Sequence, residues 1–167
     1  RPIKNCFDPV LRKQCEIVKN IDGELINLSK DMIETTLAAP GIGLAANQIG
    51  VPWRVFVVNM GVETDTDNLI TLINPEITAM EGSESGEEGC LSIPDVVVEV
   101  NRAIQIEIKA VDLNGKDIRY EASGFLARAL QHEMDHLNGI LFWDSLGKIK
   151  RDILKRKFKK KLKEQEE

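Results

Sequence analysis

The run Gln131-His132-Glu133-Met134-Asp135-His136 constrains this chain more than any other feature. It is an H-E-x-x-H pattern, and its chemistry needs a helix. Only there do positions i and i+4 place two imidazoles on one face, one turn apart. That spacing lets two nitrogens reach one metal ion. Glu133 between them is a candidate general base toward a water activated by that metal. The chain has two histidines, both in this run. Two side chains do not complete a catalytic metal site, so a third ligand must come from a cysteine or a carboxylate elsewhere.

The flanking residues support the helix. Ser123 stands where an N-cap is needed, and Gly139 where a C′ residue is needed. Leu126, Leu130, Met134 and Leu137 recur at spacings of four, four and three, which makes one apolar stripe. Phe125, Ala129, His132, Glu133 and His136 fall on an adjacent face. The pattern predicts a buried helix with a site on one side. The competing reading is chance, and the confinement of both histidines to the motif weighs against it.

For the third ligand, the longer pattern H-E-x-x-H-x-x-G-x-x-H fits at Gly139 but fails at Phe142. The downstream acids are Asp144, Asp152, Glu164, Glu166 and Glu167, and the three glutamates lie in a highly charged tail, a poor place for a rigid ligand. Upstream, Cys90 sits in Glu87-Glu88-Gly89-Cys90-Leu91-Ser92, which reads as a short Gly-flanked turn before a strand. A thiolate there would make a Cys-His-His set with a fourth position open. The plainer reading of a free cysteine is a small buried hydrophobe. Cys6 and Cys15 are expected to be that, or surface thiols.

Three motifs now stand in order: Gly41-Ile42-Gly43-Leu44-Ala45-Ala46-Asn47-Gln48, then Glu88-Gly89-Cys90-Leu91-Ser92, then Gln131-His132-Glu133-Met134-Asp135-His136-Leu137-Asn138-Gly139. Together they resemble the peptide deformylases of bacterial type. Asp8-Pro9-Val10-Leu11-Arg12 resembles that family's opening segment, and the likeness runs to about Trp143. The resemblance implies a metal-dependent hydrolase that removes the N-formyl group from the first methionine of a nascent peptide and releases formate. It implies Cys90, His132 and His136 as metal ligands and Glu133 as the group that moves the proton. It implies oxyanion donors in the Gln48 side chain and the Leu91 backbone N–H. The substrate backbone would lie as an added strand beside Ile42, Gly43 and Gly89. Phe125 and Ala129, on the face of His132, are candidates for the methionine pocket, with Arg128 at its rim. The implied ion in the cell is Fe2+, although a Cys-His-His set equally suits Zn2+, Ni2+ or Co2+.

The glycine-rich run also invites a dinucleotide-binding reading. That loop must follow a strand. Here it follows Leu25 to Ala39, whose apolar residues Leu25, Leu28, Met32 and Ile26, Ile33, Leu37 have helical spacing. Context rejects a nucleotide. Glycines that let a backbone approach closely fit better.

With 167 residues, 43% hydrophobic and 29% charged, one soluble domain with a full core is expected. Three cysteines and no secretory signal point to a reducing compartment. The first expectation is a bacterial cytoplasm, the second an organelle, with a monomeric enzyme in either. The longest uncharged stretch, Thr35 to Trp53, is broken by prolines and glycines, so no transmembrane helix is expected. The chain begins at Arg1, which leaves room for a preceding segment.

Charge divides the chain. Residues 148–167 hold ten Lys/Arg and four Asp/Glu, a net +6, while residues 1–147 carry −11. We therefore expect a catalytic body, 1–147, and a basic C-terminal helix or tail, 148–167, of the same domain. Ile149, Ile153, Leu154, Phe158 and Leu162 trace a thin apolar stripe along it. A solvated helix docked by that stripe and a docking element for the ribosome surface both remain open.

Between the motifs the pattern is α+β. Expected strands are Val55–Val58, Leu69–Asn74, Val96–Val100, Ile104–Ala110 and Ile118–Glu121, forming small antiparallel or mixed sheets around the metal helix. Asp112-Leu113-Asn114-Gly115 reads as a hairpin turn. Asn59 to Asn68 and Ala79 to Glu88 read as polar loops.

Overall fold

The computed structural model describes residues 1–39, 41–60 and 69–166, with nothing described for the side chain of residue 166. Among the described residues it is an α+β fold of three α-helices and seven strands: α1 (Gly23–Ala38), β1 (Gly43–Ala45), β2 (Val55–Asn59), β3 (Leu69–Glu81), β4 (Glu84–Cys90), β5 (Ile93–Arg102), β6 (Gln105–Val111), β7 (Asp117–Ser123), α2 (Gly124–Leu137) and α3 (Lys148–Glu166). Five strands form an antiparallel sheet in the order β1-β2-β3-β6-β7, and β4 and β5 make a separate hairpin.

Strand β2 explains how the layers assemble. Its side chains alternate between faces. Phe56 and Val58 join a core with Leu130, Met134 and Leu137 of α2, while Val55 and Val57 join a core with Leu25, Leu28 and Met32 of α1. The sheet therefore lies between α1 and the metal-motif helix, and β2 is buried on both faces. A third cluster covers the β4–β5 hairpin, where Ile93, Val98 and Val100 meet Phe142, Trp143 and Phe158.

Most strand expectations match, with corrections at the margins. Residues 79–88 are not a loop. Strand β3 runs on to Glu81, pairing Ala79, Met80 and Glu81 with Glu107, Ile106 and Gln105, and β4 begins at Glu84. Both faces are solvated at Ala79–Glu81, so backbone pairing holds this segment without apolar alternation. The loop expected at 59–68 falls largely outside the described residues, although Asn59 closes β2. The 112–115 turn joins β6 to β7 in register, with Val111 opposite Asp117.

The stripe on α3 is also narrower than expected. Phe158 is buried and Leu154 and Leu162 pack beside it, but Ile149 and Ile153 are 78% and 45% exposed. Helix α2 ends where expected. Gly139 has φ +73°, and a Cβ there would lie 2.6 Å from the Arg12 carbonyl oxygen, so both conformation and space require glycine. Ser123 occupies the N-cap position without a side-chain capping bond.

Candidate metal centre

Helix α2 fixes the two histidines, and its neighbours fix α2. The Gln131 side chain bonds both the N–H and the carbonyl of Ala103 at 2.9 Å. Buried Asn47 donates to the His136 carbonyl at 2.6 Å. One turn apart, the Nε2 atoms of His132 and His136 lie 3.2 Å from each other.

Cys90 arrives from the other side. It is the last residue of β4 and pairs with Ile93 across the tight turn of the hairpin. Its Sγ is 3.4 Å from His136 Nε2. Donor atoms of Cys90, His132 and His136 all lie within 4.8 Å of one another. This set fits a divalent ion: one soft thiolate and two imidazoles converge on a single point. Burial holds His136 well below its ordinary pKa, so it is neutral, as a ligand must be. Of the other two cysteines, Cys15 lies in the core beneath α2 and Cys6 in the cluster that Cys90 packs against. Burial pushes Cys15 up to about 11, and burial together with the nearby Cys90 pushes Cys6 up to about 12, which leaves both as inert thiols.

Glu133 lies 4% exposed, and its Oε2 has no hydrogen-bond partner among the described residues. Burial raises its carboxyl to about 7, where it can both take and give a proton near neutrality. Gly43 makes room for it. A Cβ at residue 43 would lie 3.3 Å from Glu133 Cγ and 2.9 Å from the Val57 carbonyl oxygen. Gln48, 2% exposed, is oriented by the Ala45 N–H, which donates to its Oε1 at 2.9 Å. Its Nε2 thereby turns toward Cys90, 3.9 Å from Sγ, and donates to Ser92 Oγ at 3.1 Å.

Ile42 and Gly43 lead into β1, which ends the five-stranded sheet, and Gly89 lies on β4 of the hairpin. Leu91 follows Cys90 in the turn, and its side chain packs where a Cβ on Gly41 would stand. Ala129 is buried on α2. Phe125 is 70% exposed and lines a cleft of about 230 Å³ with Ile104, Gly86 and Arg128. Cys90, His132 and His136 do not line that cleft.

The residue that sequence reasoning passed over is Glu88. Its Oε1 lies 2.9 Å from His132 Nδ1. Burial alone would raise this carboxyl, but hydrogen bonds from Arg102 and His132 bring it down to about 2. It is ionised and can only accept, so the Nδ1–H of His132 donates to it, and the Nε2 of His132 is turned toward His136. Arg102 grips Glu88 with two bonds, of 2.8 and 2.9 Å, and reaches Asp135 with a third. Arg128 adds a bond of 2.9 Å to Glu88. Strand alternation does not reveal it, because β4 has no apolar period and its pairing is irregular between Glu88 and Cys90.

Comparisons with known proteins agree with this geometry. The family model for polypeptide deformylase matches residues 1–152. Peptide deformylase of Syntrophobacter fumaroxidans is 50% identical over 157 residues, covering 94% of this chain and 92% of the relative. The crystal structure of a peptide deformylase from Legionella pneumophila superposes with a TM-score of 0.91 at 41% identity, covering 99% and 96% of the two chains. A peptide deformylase from Synechococcus elongatus, solved in complex with actinonin, gives a TM-score of 0.86 at 40% identity, covering 95% of this chain and 86% of that one. The chain belongs to the polypeptide deformylase family, metal-dependent hydrolases that remove the N-formyl group from nascent peptides.

Proposed function

We propose that this chain removes the formyl group from N-formylmethionyl peptides with Fe2+ as its ion in the cell, held by Cys90, His132 and His136. Zn2+, Ni2+ and Co2+ suit the same donors. The observation that carries this reading is the convergence of those three donors beside a buried glutamate whose carboxyl titrates near neutrality.

A divalent ion on these donors supplies the Lewis acidity that makes water nucleophilic near neutral pH. The protein's own groups do the rest. Glu133 takes the proton from the attacking water and delivers it to the amine as the formyl C–N bond breaks, so formate and a free amino terminus leave. Gln48 Nε2 and the Leu91 N–H donate to the oxygen that gains charge. The peptide extends as a strand between Ile42-Gly43 and Gly89, where two sheet edges offer backbone partners. Phe125 and Ala129 contribute to the methionine pocket.

We further assign residues 1–147 as the catalytic body and 148–167 as a basic C-terminal helix or tail of the same domain. Phe158 anchors that helix while Lys157, Lys159, Lys160 and Ile149 are exposed, an arrangement suited to docking on the ribosome's phosphates. Among the described residues no helix is long and apolar enough to cross a membrane. The setting we propose is a bacterial cytoplasm, with an organelle as the second choice, and a monomeric enzyme.

The test is an assay of anaerobically purified protein with metal analysis, offering a formylmethionyl peptide and an internal peptide bond. Formate release from the first, with one ion per chain, is the expected result. Cleavage of the internal bond alone would overturn the reading.

A further inference from the structure

We infer that Arg128, in the space left by Gly86, is a positioning residue that holds the cysteine-bearing hairpin against the histidine-bearing helix and so slows loss of the metal ion. The inference rests on the proposed ligand set.

The metal ligands come from two elements with separate cores. His132 and His136 are on α2, whose apolar face packs on the five-stranded sheet. Cys90 is on the β4–β5 hairpin, packed against Phe142, Trp143 and α3. The geometry of the site therefore depends on what ties α2 to the hairpin. Arg128 lies one turn before His132, and its guanidinium spans that gap. Nη1 donates to Glu88 Oε2 at 2.9 Å, to the Val100 carbonyl at 2.8 Å and to the Gly86 carbonyl at 3.4 Å, while Nη2 donates to the Glu84 carbonyl at 2.8 Å. One side chain thus stitches α2 to both strands of the hairpin. It also braces the carboxylate that fixes the His132 tautomer.

Gly86 is the other half of the device. A Cβ at this position would stand 3.0 Å from Arg128 Cζ and Nη2. Its φ lies outside the left-handed region, so alanine suits the backbone there and would displace only the flexible end of Arg128. Lysine at 128 keeps the charge but offers a single donor point, and no fork can meet two strands at once.

The test follows Zn2+ release to a chromophoric chelator at 25 °C, with melting of the metal-free protein measured alongside. Gly86→Ala and Arg128→Lys are each expected to release the ion about tenfold faster, the lower end of what losing an outer support of a ligand costs. Arg12→Lys, which weakens a forked pair away from the metal, should change melting without changing release. In a Glu88→Gln background, where one acceptor oxygen is left for four donors, Arg128→Lys should accelerate release by a smaller factor than in the wild-type background, since only its bonds to the Glu84, Gly86 and Val100 carbonyls remain to be lost. Release at the wild-type rate from both Gly86→Ala and Arg128→Lys would overturn the role of Arg128 and leave the ligand set standing. A wild-type protein that binds no Zn2+ would overturn both.

Discussion

Glu88 accepts the Nδ1–H of His132 at 2.9 Å while four N–H groups of two arginines and one histidine converge on its two oxygens. The carboxylate is thereby neutralised without being protonated, and the imidazole keeps one tautomer. Glu88→Ala removes both effects. Metal affinity should fall by about 10–100-fold, measured by competition with a chelator of known affinity. Affinity at the wild-type level would show that His132 needs no orienting partner.

The three cysteines should separate cleanly. Cys90 faces the two imidazoles, whereas Cys6 and Cys15 are raised, buried thiols. Cys90→Ala should purify without a tightly held ion, and Cys6→Ala and Cys15→Ala should retain one. Elemental analysis of the three proteins decides it, and a full complement of metal in Cys90→Ala sinks the ligand assignment.

Chemistry should separate from metal binding at Glu133 and Gln48. Glu133→Gln should retain the ion and lose turnover on the order of 10²-fold or more, because a positioned acid/base contributes that much. Gln48→Ala should lose about 10²–10³-fold with the ion intact, as for one oxyanion donor. Near-normal kcat in Glu133→Gln would require another base.

What the sequence showed and hid has a physical pattern. The alternation of Ile106, Ile108 and Ala110 announces β6 because one face of that strand is buried and the other is solvated. The four-residue spacing of His132 and His136 announces their shared face in the same way. Strand β4 was hidden because Glu84-Ser85-Gly86-Glu87-Glu88-Gly89 has no apolar period, and its buried carboxylate is made tolerable by arginines 14 and 40 residues away in the chain. Pairing between distant charges leaves no local trace. Helical spacing places Ile149 and Ile153 on the α3 stripe, and only the fold shows that Leu154, Phe158 and Leu162 pack on the body while those two stay exposed.

Asp144 offers a pH test remote from the ligands. Arg12 bonds both of its oxygens, at 2.6 and 3.1 Å, and the Leu141 N–H adds a third bond. Partial burial would raise its pKa, but these bonds hold it below the ordinary 3.8. The unfolded chain therefore binds this proton more readily than the folded one. The stabilisation is full above the unfolded value and is lost as pH falls through the folded value. Asp144→Asn should melt lower than wild type at neutral pH, and the difference should shrink at acid pH. A constant difference across that range would show that the ion pair contributes nothing.

The basic helix provides the last test. Lys161 pairs with Asp95 at 2.9 Å, and Lys155 sits over the Trp143 ring at 5.8 Å, so both serve the protein body. Lys157, Lys159 and Lys160 are exposed on the same helix, beside the buried anchor Phe158. Deleting the helix would strip Phe158 from the core and confuse docking with stability. Replacing these three lysines with glutamine leaves the anchor intact. Turnover of a short formylated peptide should be unchanged, since none of the three approaches the metal donors in sequence or shares their core. Affinity for ribosomes should fall, and the salt dependence of binding should flatten by about one unit of slope for each lost phosphate contact. Binding by sedimentation at several salt concentrations measures both. Unchanged affinity of the triple variant at low salt would mean that α3 is a solvated helix and that its charge has no ribosomal partner.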